Sequence, residues 1–123
     1  MDKSRVFTLS TVLLLFLVLA MPSVRAQDIV KIAPKNCKVP LDNDRVRVIQ
    51  VVTKPGEKIE MHSHPANILY ALSSGKAKFT SADGKTEERE LKAGQAVWSD
   101  AVTHSSENTG TGEGRVLVIE LKK

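Results

Sequence analysis

The sequence predicts an all-β fold, a single small antiparallel barrel or sandwich. Three observations carry this. Short stretches rich in Val, Ile, Thr and aromatic residues recur along the chain, roughly eight of them. Turn chemistry separates them, at Pro55-Gly56, Ser74-Gly75, Ala82-Asp83-Gly84-Lys85 and Ala93-Gly94. No stretch keeps a long amphipathic helical period, and no connection is long enough to carry a parallel crossover helix.

Taken in order, residues 29–33 read as an edge strand, and Pro34, Pro40 and Asp42-Asn43-Asp44 as irregular chain. Residues 45–53 (RVRVIQVVT) are the strongest strand. They begin in alternation, Val46 and Val48 against Arg45 and Arg47, and then turn apolar on both faces. Strands are expected at 59–64 and 68–72, and at 76–80, where Ala77 and Phe79 alternate with Lys76 and Lys78. After the Asp-Gly hairpin, residues 86–91 read as a polar, exposed strand. Residues 95–99, 104–107 and 116–121 follow, the last after a flexible loop over 108–114. Closing such strands into a barrel also removes exposed edges.

Residues 1–26 read as a secretory signal. Lys3 and Arg5 give a positive start. Residues 9–21 are apolar apart from Ser10 and Thr11. Val24-Arg25-Ala26 then offers small or β-branched residues at the two positions a signal peptidase reads. Cleavage is expected between Ala26 and Gln27, leaving a secreted or periplasmic domain over residues 27–123. An uncleaved anchor is the competing reading, but a 13-residue apolar run falls short of the roughly 20 needed to span a bilayer. The formal charge of +4 drops to +2 once Asp2, Lys3, Arg5 and Arg25 are set aside. With mixed charges, one Trp and one Tyr, the chain has no basic stripe with stacking aromatics, which excludes a nucleic-acid binder. Cys37 stands alone, so no intramolecular disulfide forms. It is either a buried thiol or a link between two chains. Nucleophilic catalysis has no motif: there is no G-x-S-x-G elbow and no histidine near Cys37. Glu87, Glu88 and Glu90 read as a solvated face.

The chain holds three histidines: His62, His64 and His104. In a strand, residues two apart share a face, so His62 and His64 can aim both imidazoles at one point. A third imidazole from a neighbouring strand completes one face of a coordination sphere. Around these residues the spacing resembles the cupin family. Gly56 precedes His62-Ser63-His64 by five residues, and Gly75 follows at the expected distance. The family's glutamate position falls on Ile68. In the second motif Gly94, His104 and Asn108 fit, while Asp100-Ala101-Val102 replaces the usual proline and glycine, and the Gly-to-His spacing is one residue short. The resemblance covers residues 45–121. It implies a jelly-roll barrel holding one divalent transition metal on His62, His64 and His104. Fe(II) is the first choice, with Cu, Zn, Mn and Ni as alternatives. It also implies a small-molecule ligand or substrate, and a homodimer formed through a strand edge. Residues 29–33 are the candidate pairing or swapped strand.

Ile68 cannot coordinate, so three neutral imidazoles leave a bound ion its full charge. That favours an anionic or chelating substrate. Three-histidine sites resemble those of thiol and diketone dioxygenases, where Fe(II) binds both substrate and O₂. Parity from Ile68 puts Tyr70 and Leu72 on the same face, making Tyr70 the candidate catalytic hydroxyl, with core packing as its other role. Trp98 and Phe79 read as barrel core, and Met61 as packing on the face opposite His62. Glu60 shares the parity of His62 and His64, which allows a supporting or substitute-ligand role. Asn108 is expected to hold the loop after His104 or to orient a histidine. Three readings of function follow: an oxygenase-like enzyme, a non-catalytic module binding a small ligand or metal, and a structural protein.

Overall fold

The computed structural model describes residues 27–123; the signal reading of residues 1–26 lies outside the described residues. The elements, in chain order, are α1 (Ile29–Ile32), β1 (Cys37–Asp42), β2 (Val46–Thr53), β3 (Lys58–His64), β4 (Asn67–Ala71), β5 (Gly75–Ser81), β6 (Thr86–Leu91), β7 (Ala96–Ser99), β8 (Val102–Asn108) and β9 (Gly114–Leu121). Two sheets face each other, one in the order β1-β2-β9-β4-β7 and one in the order β3-β8-β5-β6. All strand pairings are antiparallel, as the sequence predicts. No helix among the described residues is long and apolar enough to cross a membrane.

β2 and β9 run against each other without interruption, from Val46 opposite Leu121 to Thr53 opposite Gly114. Directly opposed residues share a face, so Arg47 and Glu120 stand on one side with Ile49 and Val118. Ile49 has no exposed surface, and Val118 and Val51 are buried. Ile29, Ala33 and Ile59 complete this core. The alternation of β2 is therefore inverted relative to polarity: Arg47 points inward, while Val46 and Val48 take the outer face. An apolar row crosses all five strands on that outer face, with Leu41 beside Val48, then Ile119, Ile68 and Trp98. Trp98, expected in the core, is 55% exposed at the end of this row.

The N-terminal segment corrects the sequence reading. Residues 29–32 form one helical turn, not an edge strand. Asp28 caps it, its carboxylate accepting from the Val30 amide at 3.0 Å. The turn packs on β3, where the Ser63 amide donates to the Gln27 carbonyl at 2.7 Å. Capping and the burial of Ile29, which is 3% exposed, outweigh the β propensity of Ile-Val-x-Ile. This segment closes its own barrel and is not presented as a strand for a second chain. Residues 37–42, expected to be irregular, form the edge strand instead. Pro40 falls where the register shifts between Lys38 and Leu41, a place where a missing amide costs no ladder bond. The Cys37 thiol is half-buried beside the Ile29 carbonyl. Burial, with Asp28 adding to it, pushes its pKa up to about 11, which keeps it protonated.

Candidate metal centre

β3 and β8 bring the three histidines together. His62 lies directly opposite His104, and His64 follows His62 on the same face. The three ring centroids are 4.8, 4.9 and 5.6 Å apart. One ligand atom from each ring lies within 4.8 Å of the others. His62 and His64 are buried, at 2% and 6% exposure, and His104 is half-buried.

The orientation of the rings is set by partners that can only accept. His62 Nδ1 lies 2.7 Å from the Glu60 carbonyl, so Nδ1 carries the hydrogen and Nε2 keeps a free lone pair. His64 Nδ1 lies 2.7 Å from a carboxylate oxygen of Glu120, which fixes the same tautomer. A carboxylate or carbonyl behind a histidine in this way raises its basicity as a ligand. Glu120 is itself 3% exposed. Its other oxygen accepts from Arg47 Nε and Nη2 at 2.9 and 2.7 Å. Arg47 in turn holds Asp28 through two hydrogen bonds of 2.7 and 2.9 Å. Burial alone raises the pKa of Glu120, but the bonds from His64 and Arg47 outweigh it and hold the carboxyl below its ordinary value. Arg47 likewise keeps Asp28 ionised.

Burial pushes His62 down to about 4, against the Glu60 carbonyl, which favours the charged ring. His104 falls to about 3, through burial first and then the neighbouring histidines and Arg89. Both rings are neutral at physiological pH, the state in which imidazole ligates a metal. The donor set of neutral imidazoles with free Nε2 atoms fits a divalent transition ion.

Several expectations change here. Tyr70 and Ile68 do share a face, but it is the outer one: Ile68 pairs with exposed Trp98, and Tyr70 pairs with Ala96. Tyr70 is 37% exposed, and its hydroxyl lies over Gly94, on the side away from the histidines. The catalytic role assigned to Tyr70 by parity is therefore corrected. Leu69, opposite buried Val118, faces inward and lines the cavity with the histidines. The inward position after the His-x-His pair is thus filled by Leu69, and it is as unable to coordinate as Ile68. Glu60 is also misplaced by parity. The register of β3 slips between Ile59 and His62, a bulge that turns both Ile59 and His62 inward and leaves the Glu60 side chain exposed. Glu60 contributes its carbonyl, not a carboxylate. Asn108 is buried and ties the loop together. Its amide donates to the Thr53 and Gly112 carbonyls, and its oxygen accepts from the Gly110 amide. Glu120, Arg47 and Asp28 escaped the sequence reading. The available signal was a pair of opposite charges inside the two most apolar strands, RVRVIQVVT and VLVIEL.

A cavity of about 130 Å³ opens onto the histidines, lined among others by Leu69, Phe79, Leu91 and Val118. A second, of about 340 Å³, lies towards the β5–β6 hairpin and shares Leu69, Phe79, Arg89 and His104 with the first. Phe79 stacks at 5.0 Å on His104, in the inward position expected of it.

Fold and site together define a small β-barrel with a buried three-histidine face. The chain belongs to the cupin family: the cupin domain model matches residues 49–120, more than half of the sequence. No curated protein matches it. Among solved structures it is similar to a cupin domain protein from Bordetella pertussis Tohama I. The TM-score is 0.66 at 24% identity, over 71% of this chain and 92% of that one. An RmlC-like cupin with a double-stranded β-helix fold from Methanocaldococcus jannaschii gives a TM-score of 0.58 at 16% identity, over 70% and 78% of the two chains. A protein from Bacillus halodurans gives 0.59 at 18%, over 72% and 70%. At these identities the likeness is one of fold.

Two outcomes are expected. Glu120→Gln removes the acceptor charge behind His64 and weakens zinc binding by about 10- to 100-fold, measured by competition with a chromogenic chelator. The second concerns acid. A histidine with a depressed folded pKa binds fewer protons folded than unfolded between the two values. Metal-free protein therefore loses stability as pH falls below the ordinary value of 6.5, down to about 4 for His62 and about 3 for His104. Urea midpoints from about pH 8 to about pH 4 follow this; a flat profile contradicts the buried neutral rings.

Proposed function

We propose that the protein is an exported cupin whose His62, His64 and His104 hold one divalent transition metal, Fe(II) first. In this reading it acts as a dioxygenase-like oxidoreductase on a small chelating or anionic substrate. The observation that carries the reading is the convergence of three imidazoles, two with Nδ1 already committed, beside an inward Leu69 that leaves a fourth position without a protein ligand. When bound, such an ion supplies Lewis-acid and redox chemistry. The chain's part is to hold His62 and His104 neutral, keep Nε2 free on His62 and His64, and exclude water with Leu69, Phe79 and Val118. A non-catalytic module is the second reading, favoured by the apolar lining and small volume of the cavity at the histidines.

Metal analysis by mass spectrometry on tag-free protein, with Fe(II) loading under anaerobic conditions, tests the site. Near one equivalent is expected, lost in His62→Ala and His104→Ala while the fold persists. Oxygen consumption in the loaded protein supports the enzyme; ligand-dependent stabilisation without product supports the module. Absence of metal after loading removes both metal readings.

The homodimer expected from the resemblance is proposed to form across the outer apolar row, where a second copy covers Ile68 and Trp98. Light scattering is expected to show a dimer, with Trp98→Glu a monomer of unchanged fold. A monomeric parent protein removes the idea.

A further inference from the structure

Arg89 is the guanidinium shared by the two cavities. It stands on β6, the free edge of its sheet, opposite Ala77 and so on the inward face with Phe79. Its central carbon lies 5.9 Å from the centroid of the Phe79 ring, and that ring stacks on His104 at 5.0 Å. The guanidinium thus lies one aromatic ring away from the histidine face. Glu87, two residues back on the same strand, also faces inward, opposite Phe79. It is solvated there, as the sequence predicts, at the open edge of the barrel; Glu88 and Glu90 face outward, opposite Lys78 and Lys76.

The geometry of the pair carries the argument. Arg89 Nε donates to one oxygen of Glu87 at 3.0 Å, and Nη2 to the other at 3.2 Å. Two parallel bonds to two oxygens are how a guanidinium fork receives a free carboxylate. The Glu87 side chain is 62% exposed and that of Arg89 41%. An ion pair so open to water contributes little, and an incoming carboxylate can take its place without unfolding anything. Leu69, Phe79 and Leu91 give an apolar lining to the cavity that holds both this fork and the histidines.

We propose that Arg89 anchors the carboxylate of a small monocarboxylate with an apolar body, lying along Phe79 with its far end towards the histidines. Glu87 is the built-in competitor that keeps the fork aligned until the ligand displaces it. The approach to the histidines deepens the metal reading above and rests on it; the carboxylate anchor itself does not require a metal. A guanidinium fork receives two oxygens of a carboxylate or of a phosphate alike; the carboxylate already seated in it and the apolar lining of the cavity favour a monocarboxylate here.

The test uses full-length processed protein, stripped with a chelator or loaded with zinc, at neutral pH. The probes are straight-chain monocarboxylates from acetate to octanoate and their primary amides, read by thermal shift and calorimetry. In metal-free protein at least one acid is expected to bind while its amide does not. Arg89→Gln weakens that acid roughly 10- to 100-fold. Glu87→Gln, which frees the fork, tightens it several-fold. Arg115→Gln, which lines the same cavity but pairs with Glu113, leaves it unchanged. No preference for any acid over its amide overturns the anchor, as does a preference that survives Arg89→Gln. A preference seen only with zinc bound assigns the carboxylate to the metal and also overturns it. A preference in protein that binds no zinc upholds the anchor while removing the metal reading.

Discussion

The ion pair between Arg47 and Glu120 is the contact on which the rest of this barrel depends. Both side chains lie inside, between strands that are otherwise apolar. Charges taken out of water are costly unless each has its partners, and here each has. Glu120 receives two bonds from Arg47 and one from His64. Arg47 gives its remaining face to Asp28. A one-residue slip between β2 and β9 would turn Arg47 to the outer face and strand Glu120 in the interior. The pair therefore fixes the register of the central strands, the docking point of α1 and the aim of one imidazole.

The same chain of charges bears on the electrostatics of the histidine face. Leu69, in the inward position after the His-x-His pair, supplies no negative charge, and neither does Ile68, on which the family's glutamate position falls. Glu120 supplies one from behind His64, and Arg47 is already shared with Asp28. The two carboxylates and one guanidinium leave one negative charge in excess, next to the ring that would face an ion. The compensation reaches the centre through an imidazole without occupying a coordination position. The β3 bulge completes the arrangement by turning His62 inward onto the Glu60 carbonyl.

Much of this was legible in the sequence because it rests on local chemistry. The turn glycines, the alternation around Phe79 and the spacing of His62, His64 and His104 place the strands and assemble the site. The errors at Tyr70 and Trp98 share a cause: strand parity gives two faces but does not say which is inside. Val46 and Val48 face outward because Arg47 has Glu120 opposite it, a fact of register between residues 73 apart. Tyr70 follows Ile68 faithfully, to the wrong side. Glu60 is displaced by a bulge that no residue type announces. Residues 29–32 have the composition of a strand and become a helical turn because Asp28 caps them and Ile29 fills the barrel end.

β9 is the last strand in the chain, yet it lies in the middle of its sheet, between β2 and β4, and it carries Glu120. A polypeptide emerging from its N-terminus has all three histidines before the strand that orients His64 arrives. Neither β2 nor β4 has its main neighbour until then, and His64 has no Glu120 behind it on a partial chain. Divalent ions compete for imidazoles in an affinity order the protein does little to alter. An ion taken up with Glu120 already behind His64 would therefore be drawn from the surroundings in which folding is completed.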